Sequence, residues 1–239
     1  MCSRFPLSRT VDEIGKLFRV AGPLVNTTPR YNIAPTQNVL AIIRENPTGT
    51  RVFAMLRWGL IPHWAKDASI ATKLINARAE TLADKPSFRD AYRHRRCVIP
   101  ADGFYEWTRD DRHAPFAVAK KDRTPIGFGG LWEEWSDPTS GERIKTCTII
   151  TTEANPTCAS IHDRMPVIIA LDDIARWLGE EPASNAMIAA MLRPYPANDL
   201  EVFAVDKRVG NVRNDNPSLF QPKAVSEAET SLKYSPRLL

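Results

Sequence analysis

The sequence lacks any run of roughly 18 uncharged apolar residues, and no apolar core lies near its start. Neither a membrane-spanning helix nor a secretory signal is expected, and a cytoplasmic or nucleoid location is the default. Cysteine is scarce and scattered: Cys2, Cys97, Cys147 and Cys158 form no C-x-x-C pair, and only four histidines accompany them. That usage fits a reducing compartment and argues against a zinc site; no other cofactor is indicated. No charge of one sign dominates, since the net charge is +4, so overall charge does not identify a partner. No internal repeat and no low-complexity linker divides the 239 residues, which suffice for a sizeable core in one or two domains.

What the chain has in quantity is short strands. Asn38 to Arg44 and Arg51 to Trp58 are apolar runs around Glu45-Asn46-Pro47-Thr48-Gly49, a hairpin signal. Arg96 to Pro100, Phe104 to Thr108, Phe116 to Ala119, Ile126 to Trp132, Lys145 to Thr151, Val167 to Ala170 and Val202 to Val205 read as further strands. Thr10-Val11-Asp12-Glu13 is a capping box with Ile14, Leu17 and Phe18 at helical spacing behind it, and Gly22-Pro23 should end that helix. Other helices are expected over Ala77 to Leu82, Ser87 to Arg93, Asp172 to Leu178 and Asn185 to Leu192. Without sustained strand–helix alternation, a doubly wound sheet is excluded in favour of an α+β fold. The expectation is a single compact domain over residues 2–220, with a mostly antiparallel, barrel-like β-core and flanking helices. Residues 221–239 are polar and aperiodic and read as a mobile tail. Arg89, Arg93, His94, Arg95 and Arg96 crowd into eight residues. The run suits a phosphate backbone or a solvated helix end equally.

Cys2 directly follows the initiator methionine. Once Met1 is removed, it carries a free α-amine and a thiol two carbons apart. Such a 1,2-aminothiol condenses with an aldehyde to an imine and closes to a thiazolidine, which an internal cysteine cannot do; taken alone, Cys2 reads rather as a chance second residue on a frayed terminus. Three other polar residues stand in structured, apolar surroundings. Glu106 lies between aromatics in Phe104-Tyr105-Glu106-Trp107; it is a proton acceptor if its face is buried and an ordinary surface carboxylate if not. His162 precedes Val167-Ile168-Ile169 in a charged turn. It suits proton transfer at neutral pH, or simply a turn in which Asp163 and Arg164 pair locally. Asn76 reads locally as the N-cap of a helix, and alternatively as an amide that orients a reacting group. Trp58 to Trp64 offers two indoles, which would stack on unpaired bases if exposed and fill a core if buried.

Taken in order, Met1-Cys2-Ser3-Arg4-Phe5, Arg30 to Gln37, Trp58 to Trp64, Asn76-Ala77-Arg78-Ala79-Glu80-Thr81, Gly103 to Trp107, His162 to Pro166 and Val209 to Asn214 form a series. On that series the sequence resembles the SRAP (SOS response-associated peptidase) family, from Cys2 to about Phe220. Ser3 stands where the family usually has glycine. The resemblance implies a monomeric DNA-damage protein that captures abasic sites in single-stranded DNA through its N-terminal cysteine. Its partners would be Asn76, Glu106 and His162, and no metal or membrane would be involved. Arg4, Asn32, Pro35, Trp64 and Arg78 would contact DNA around the lesion. The peptidase of the family name refers to removal of residues ahead of the cysteine. Two other readings of the same residues stand beside it. One is a Cys-His-Asn hydrolase built from Cys2, His162 and Asn76; the other is a non-covalent reader of single-stranded or modified DNA.

Overall fold

Alternating and fully apolar runs of β-branched and aromatic residues have to pair, because each buried strand must satisfy its backbone N–H and C=O groups. The computed structural model describes residues 2–21, 23, 25–45 and 49–223. Its first elements are β1 (Phe5–Leu7), α1 (Val11–Phe18), β2 (Arg30–Ile33), β3 (Asn38–Arg44), β4 (Arg51–Trp58) and β5 (Asn76–Arg78). There follow α2 (Arg89–His94), β6 (Arg96–Ala101), β7 (Phe104–Trp107), β8 (Pro115–Lys120), β9 (Ile126–Ser136) and β10 (Arg143–Glu153). The series ends with α3 (Pro156–Ala159), β11 (Arg164–Pro166), α4 (Ile174–Leu178), α5 (Asn185–Ala190) and β12 (Leu200–Ala204).

Five strands close on themselves in the order β10-β4-β3-β6-β9, and β9 returns to β10. Four of the five junctions are antiparallel, while β10 runs parallel to β4 with Cys147 opposite Trp58. The expected α+β class and barrel-like, mostly antiparallel core are thus what the chain adopts. Closure removes the open edges that an apolar sheet would otherwise present. The barrel interior and the layer over it are filled by Phe5, Ile42, Ile43, Leu56, Trp58, Phe104 and Phe128, all buried. Phe5 packs its ring 5.3 Å from Trp58 and 5.6 Å from Phe128, which stitches the N-terminal segment onto the barrel. At Gly130 the strands approach so closely that a Cβ would lie 2.8 Å from the Thr148 carbonyl and 2.9 Å from Cys97 Sγ. Beside the barrel, β12-β8-β7 form a second antiparallel sheet.

The capping box forms as read: Glu13 accepts from the Thr10 N–H at 2.8 Å, and Thr10 Oγ1 accepts from the Glu13 N–H at 3.2 Å. α1 nevertheless stops at Arg19, which turns left-handed while Val20 donates back to the Gly15 carbonyl at 2.9 Å. The expected stop at Gly22, the turn residues 46–48 and the tail from 224 lie outside the described residues. Two predicted elements are corrected. Ala77 to Leu82 is no helix: β5 pairs in parallel with β10, Asn76 opposite Ile149, and a single 3-10 turn follows at Ala79–Thr81. The strand predicted over Val167 to Ala170 lies earlier, at Arg164–Pro166, leaving one bridge between Ile168 and Phe128. β1, β2 and the 3-10 turn at Ala68–Lys73 carry no strong periodicity and escaped the sequence reading.

Candidate active site

The N-terminal segment is drawn to one end of the barrel by backbone pairing. Pro6 accepts from the Asp102 N–H and Arg4 from the Tyr105 N–H, both at 2.9 Å. This lays Cys2 alongside the strand that carries Glu106. β5 delivers Asn76 to the same place, where its Nδ2 donates 2.8 Å to the Cys2 carbonyl. Asn76 therefore caps no helix; its amide holds the backbone of the N-terminal cysteine. His162 follows α3, its N–H donating to the Cys158 carbonyl at 3.1 Å. Cys2 and Glu106 are buried, and Asn76 and His162 are half-buried.

Glu106 is the electrostatic centre of this group. Burial, and then the Glu106 carboxylate, push the Cys2 thiol far above its ordinary value. The same two causes push Cys158 up to about 12. The Cys2 thiol is thus held protonated at neutral pH. Burial draws the His162 pKa down, against the opposing pull of Glu106. Its Nδ1 accepts from the Arg164 N–H at 3.0 Å, so the neutral ring carries its proton on Nε2. Asp163 Oδ1 lies 2.9 Å from the same Nδ1, ready to pair when the ring is protonated. Among the described residues Asp163 and Arg164 do not pair with each other, although Asp163 meets His162 within the turn. Asp163 binds Arg109 at 2.6 Å, while Arg164 grips Glu80 through two bonds of 2.6 and 2.9 Å and the Thr151 carbonyl at 2.7 Å.

Asn76 Oδ1 is buried and accepts no hydrogen bond among the described residues. An unmatched buried acceptor costs about 1–3 kcal/mol, so it marks a place where a donor is wanted. A cleft of about 670 Å³ opens beside His162, with Arg78 and Arg109 on its walls. Among the described residues, no group of histidine, cysteine, aspartate and glutamate side chains is arranged to hold a metal ion. No helix of the described residues is long and apolar enough to cross a membrane.

The residues expected to contact DNA divide into two sets. Arg78 is exposed on the cleft, Trp64 is 50% exposed, and Pro35 is half-buried in a turn whose next residue, Thr36, has φ 72°. Arg4 and Asn32 face inward instead. Asn32 is buried; its Nδ2 donates to the carbonyls of Val209, Asn211 and Asn214 at 3.1, 3.0 and 2.9 Å, and its Oδ1 accepts from Arg4 at 3.2 Å. Arg4 also donates to the Val209 carbonyl at 3.1 Å. Both side chains hold the 209–214 loop against β1 and β2. Arg109, Glu80 and Cys158 escaped the sequence reading. For Cys158 a signal existed, its position one helical turn before His162; Arg109 and Glu80 become neighbours of the site only through the fold.

A closed barrel with a cysteine buried at the N-terminus among an amide, a carboxylate and an imidazole defines a class. The chain belongs to the SOS response associated peptidase (SRAP) family, whose model matches residues 1–212. It is 42% identical over 225 residues to the abasic site processing protein YoqW of Bacillus subtilis (strain 168), covering 92% of this chain and 99% of that one. With the abasic site processing protein YoaM of the same organism it shares 44% identity over 223 residues, covering 92% and 97%. A solved protein structure from Bacteroides thetaiotaomicron matches with a TM-score of 0.83 at 25% identity, over 93% of this chain and 100% of that one.

Proposed function

We infer that the protein captures abasic sites in single-stranded DNA as a thiazolidine on Cys2, in the chain from which Met1 has been removed. The observation that carries this reading is the meeting of Cys2, Asn76, Glu106 and His162 from four separated segments, beside a cleft bearing Arg78. Protonated His162 donates a proton to the sugar ring oxygen while the hydroxyl on the same carbon gives its proton to solvent, which releases the aldehyde. The Cys2 α-amine attacks that carbon, Glu106 takes the amine proton, and the carbinolamine loses water to give the imine. The thiol then adds: sulfur bonds to the imine carbon and its proton ends on nitrogen, so one water is lost overall. Asn76 Oδ1 accepts a hydrogen bond from the adduct. The thiazolidine carbon is tetrahedral and no longer an electron sink for β-elimination, so the strand is preserved. Exposed Trp64 and Arg78 favour stacking on unpaired bases and phosphate contact without base readout.

A Cys-His-Asn hydrolase needs a thiolate and an asparagine that orients the imidazole. Here the thiol is held protonated and Asn76 bonds the Cys2 carbonyl instead. The test is denaturing electrophoresis and intact mass after incubation with abasic single-stranded DNA. Wild type is expected to give a denaturation-resistant adduct lighter by one water than the sum of its parts, and Cys2→Ala none. An undiminished adduct in Cys2→Ala, or in a chain that retains Met1, defeats the proposal. A non-covalent reader would bind the strand reversibly and be indifferent to Cys2→Ala.

A further inference from the structure

The arginine run around α2 has no part in the chemistry above, yet the fold gathers more positive charge to it. Arg93, His94, Arg95 and Arg96 come from the end of α2 and the start of β6, and Arg44 from the end of β3. Together with Trp132 they line a groove of about 420 Å³. Arg44 donates to the carbonyls of Gly179 and Gly49, and Arg96 to those of Trp177, Tyr92 and Arg93. The acceptors of Arg96 are neutral and leave its charge in place, and the two guanidinium groups sit at the carbonyl end of α4. Gly179 between them is left-handed at φ 80°, the conformation that calls for glycine, and a Cβ there would only touch Arg44 Nη1 at 3.4 Å and Arg96 Nη2 at 3.5 Å. Arg93 and His94 are exposed, and among the described residues their side chains have no ion pair. The acids nearby are already engaged, Glu45 with Lys145 at 2.7 Å and buried Glu133 with Arg95.

Position gives the groove a direction. Arg96 opens β6, and the far end of that strand adjoins the segment carrying Cys2, about 17 Å away at ~3.3 Å per residue. Buried Glu133 links the arginine run to the segment ahead of Trp64: its Oε1 binds Arg95 Nε at 2.9 Å and its Oε2 lies 3.4 Å from His63 Nδ1. His63 immediately precedes the exposed Trp64. Between Trp64 and the groove residues Arg93, His94 and Arg96 thus lie His63 and the Glu133-paired Arg95.

We propose that this groove is a second DNA-backbone site, which takes the phosphates of the strand as it leaves the capture site past Trp64. The inference rests on the single-stranded DNA reading above and adds to it a binding track remote from the reacting carbon. Phosphates neutralised there release counterions, so the contacts are read from the salt dependence of binding. Each contact on a single strand contributes about 0.7 to the slope of log K against log salt.

Arg93 lines the groove and is exposed, so its replacement leaves the core untouched. With a long undamaged single strand as probe, Arg93→Gln is expected to bind more weakly, with a slope shallower by about 0.7. The gain variant His94→Lys should steepen it by about 0.7. Both should capture a short abasic strand, ending before the groove, at the wild-type rate. Unchanged slopes in both variants overturn the proposal, and are the outcome expected if the groove serves an acidic protein partner instead. Slower capture of the short strand also overturns it, since the groove would then belong to the capture site. A wild type that forms no adduct with any abasic strand, yet shows these slope changes, defeats the covalent reading and leaves the track standing.

Discussion

Replacing Asn32 by leucine removes, at similar volume, a buried side chain that ties β2 to the 209–214 loop. Its Nδ2 has two hydrogens for the three carbonyls at 2.9–3.1 Å, so the contacts amount to two full hydrogen bonds. At about 1 kcal/mol net each they contribute roughly 2 kcal/mol. The charged bond from Arg4 would ordinarily add about 1.5–3 kcal/mol. It is discounted here to about 1 kcal/mol, because Arg4 keeps the Val209 carbonyl as an acceptor. The expected loss is about 3 kcal/mol, which for a domain of this size lowers Tm by about 6–12 °C. Urea unfolding should show a reduced midpoint at unchanged m. A residue that merely touches DNA would behave in the opposite way, with Tm unmoved and only strand affinity reduced. A Tm drop of less than about 2 °C would refute the anchoring role derived from the burial of Asn32.

Glu106→Gln should slow adduct formation most near and below neutral pH, where the amine most needs a base; a rate–pH profile superimposable on wild type removes that role. Because burial lowers the His162 pKa below its ordinary ~6.5, the unfolded chain takes up this proton before the folded one does. Its contribution to stability is therefore complete above that pH and lost as pH falls through the lowered value. His162→Gln should accordingly lose less stability than wild type between neutral and mildly acidic pH, as measured by urea midpoints. Equal acid sensitivity of the two proteins contradicts this. Gly130→Ala places a methyl against the Thr148 carbonyl and Cys97 Sγ, and overpacking of a barrel wall should cost about 1–3 kcal/mol in thermal melts. A neutral effect would mean that β9 can move away from its neighbours.

Local chemistry was legible wherever the deciding interaction spans a few residues. The Thr10–Glu13 box is one such case, closing over three residues whatever the rest of the chain does. The hairpin of β3 and β4 is another, since both strands are long, apolar and adjacent in sequence. The error over Ala77 to Leu82 has the opposite origin. Its residues are acceptable helix formers, but β5 lies along β10, more than seventy residues later, and those backbone bonds outweigh a weak local preference. Glu106 likewise could not be assigned from its strand. Alternation left it either solvated or buried, and the N-terminal segment paired beside β7 is what encloses it.

The sequence by itself determined the inventory of groups: a thiol at Cys2, an amide, a carboxylate and an imidazole, together with an α+β chain of many short strands. It determined these because functional groups and strand periodicity are properties of residues and their near neighbours. Only the tertiary structure decided how the groups act on one another. Barrel closure brings residues 2, 76, 106 and 162 to one end, aims the Asn76 amide at the Cys2 carbonyl, and lets burial and Glu106 hold the thiol protonated. It also turned Asn32 inward to anchor a loop, and gathered Arg44 to the α2 arginines in a groove of its own. Burial and charge proximity are set by strands far apart in the chain, and no local pattern of residues encodes them.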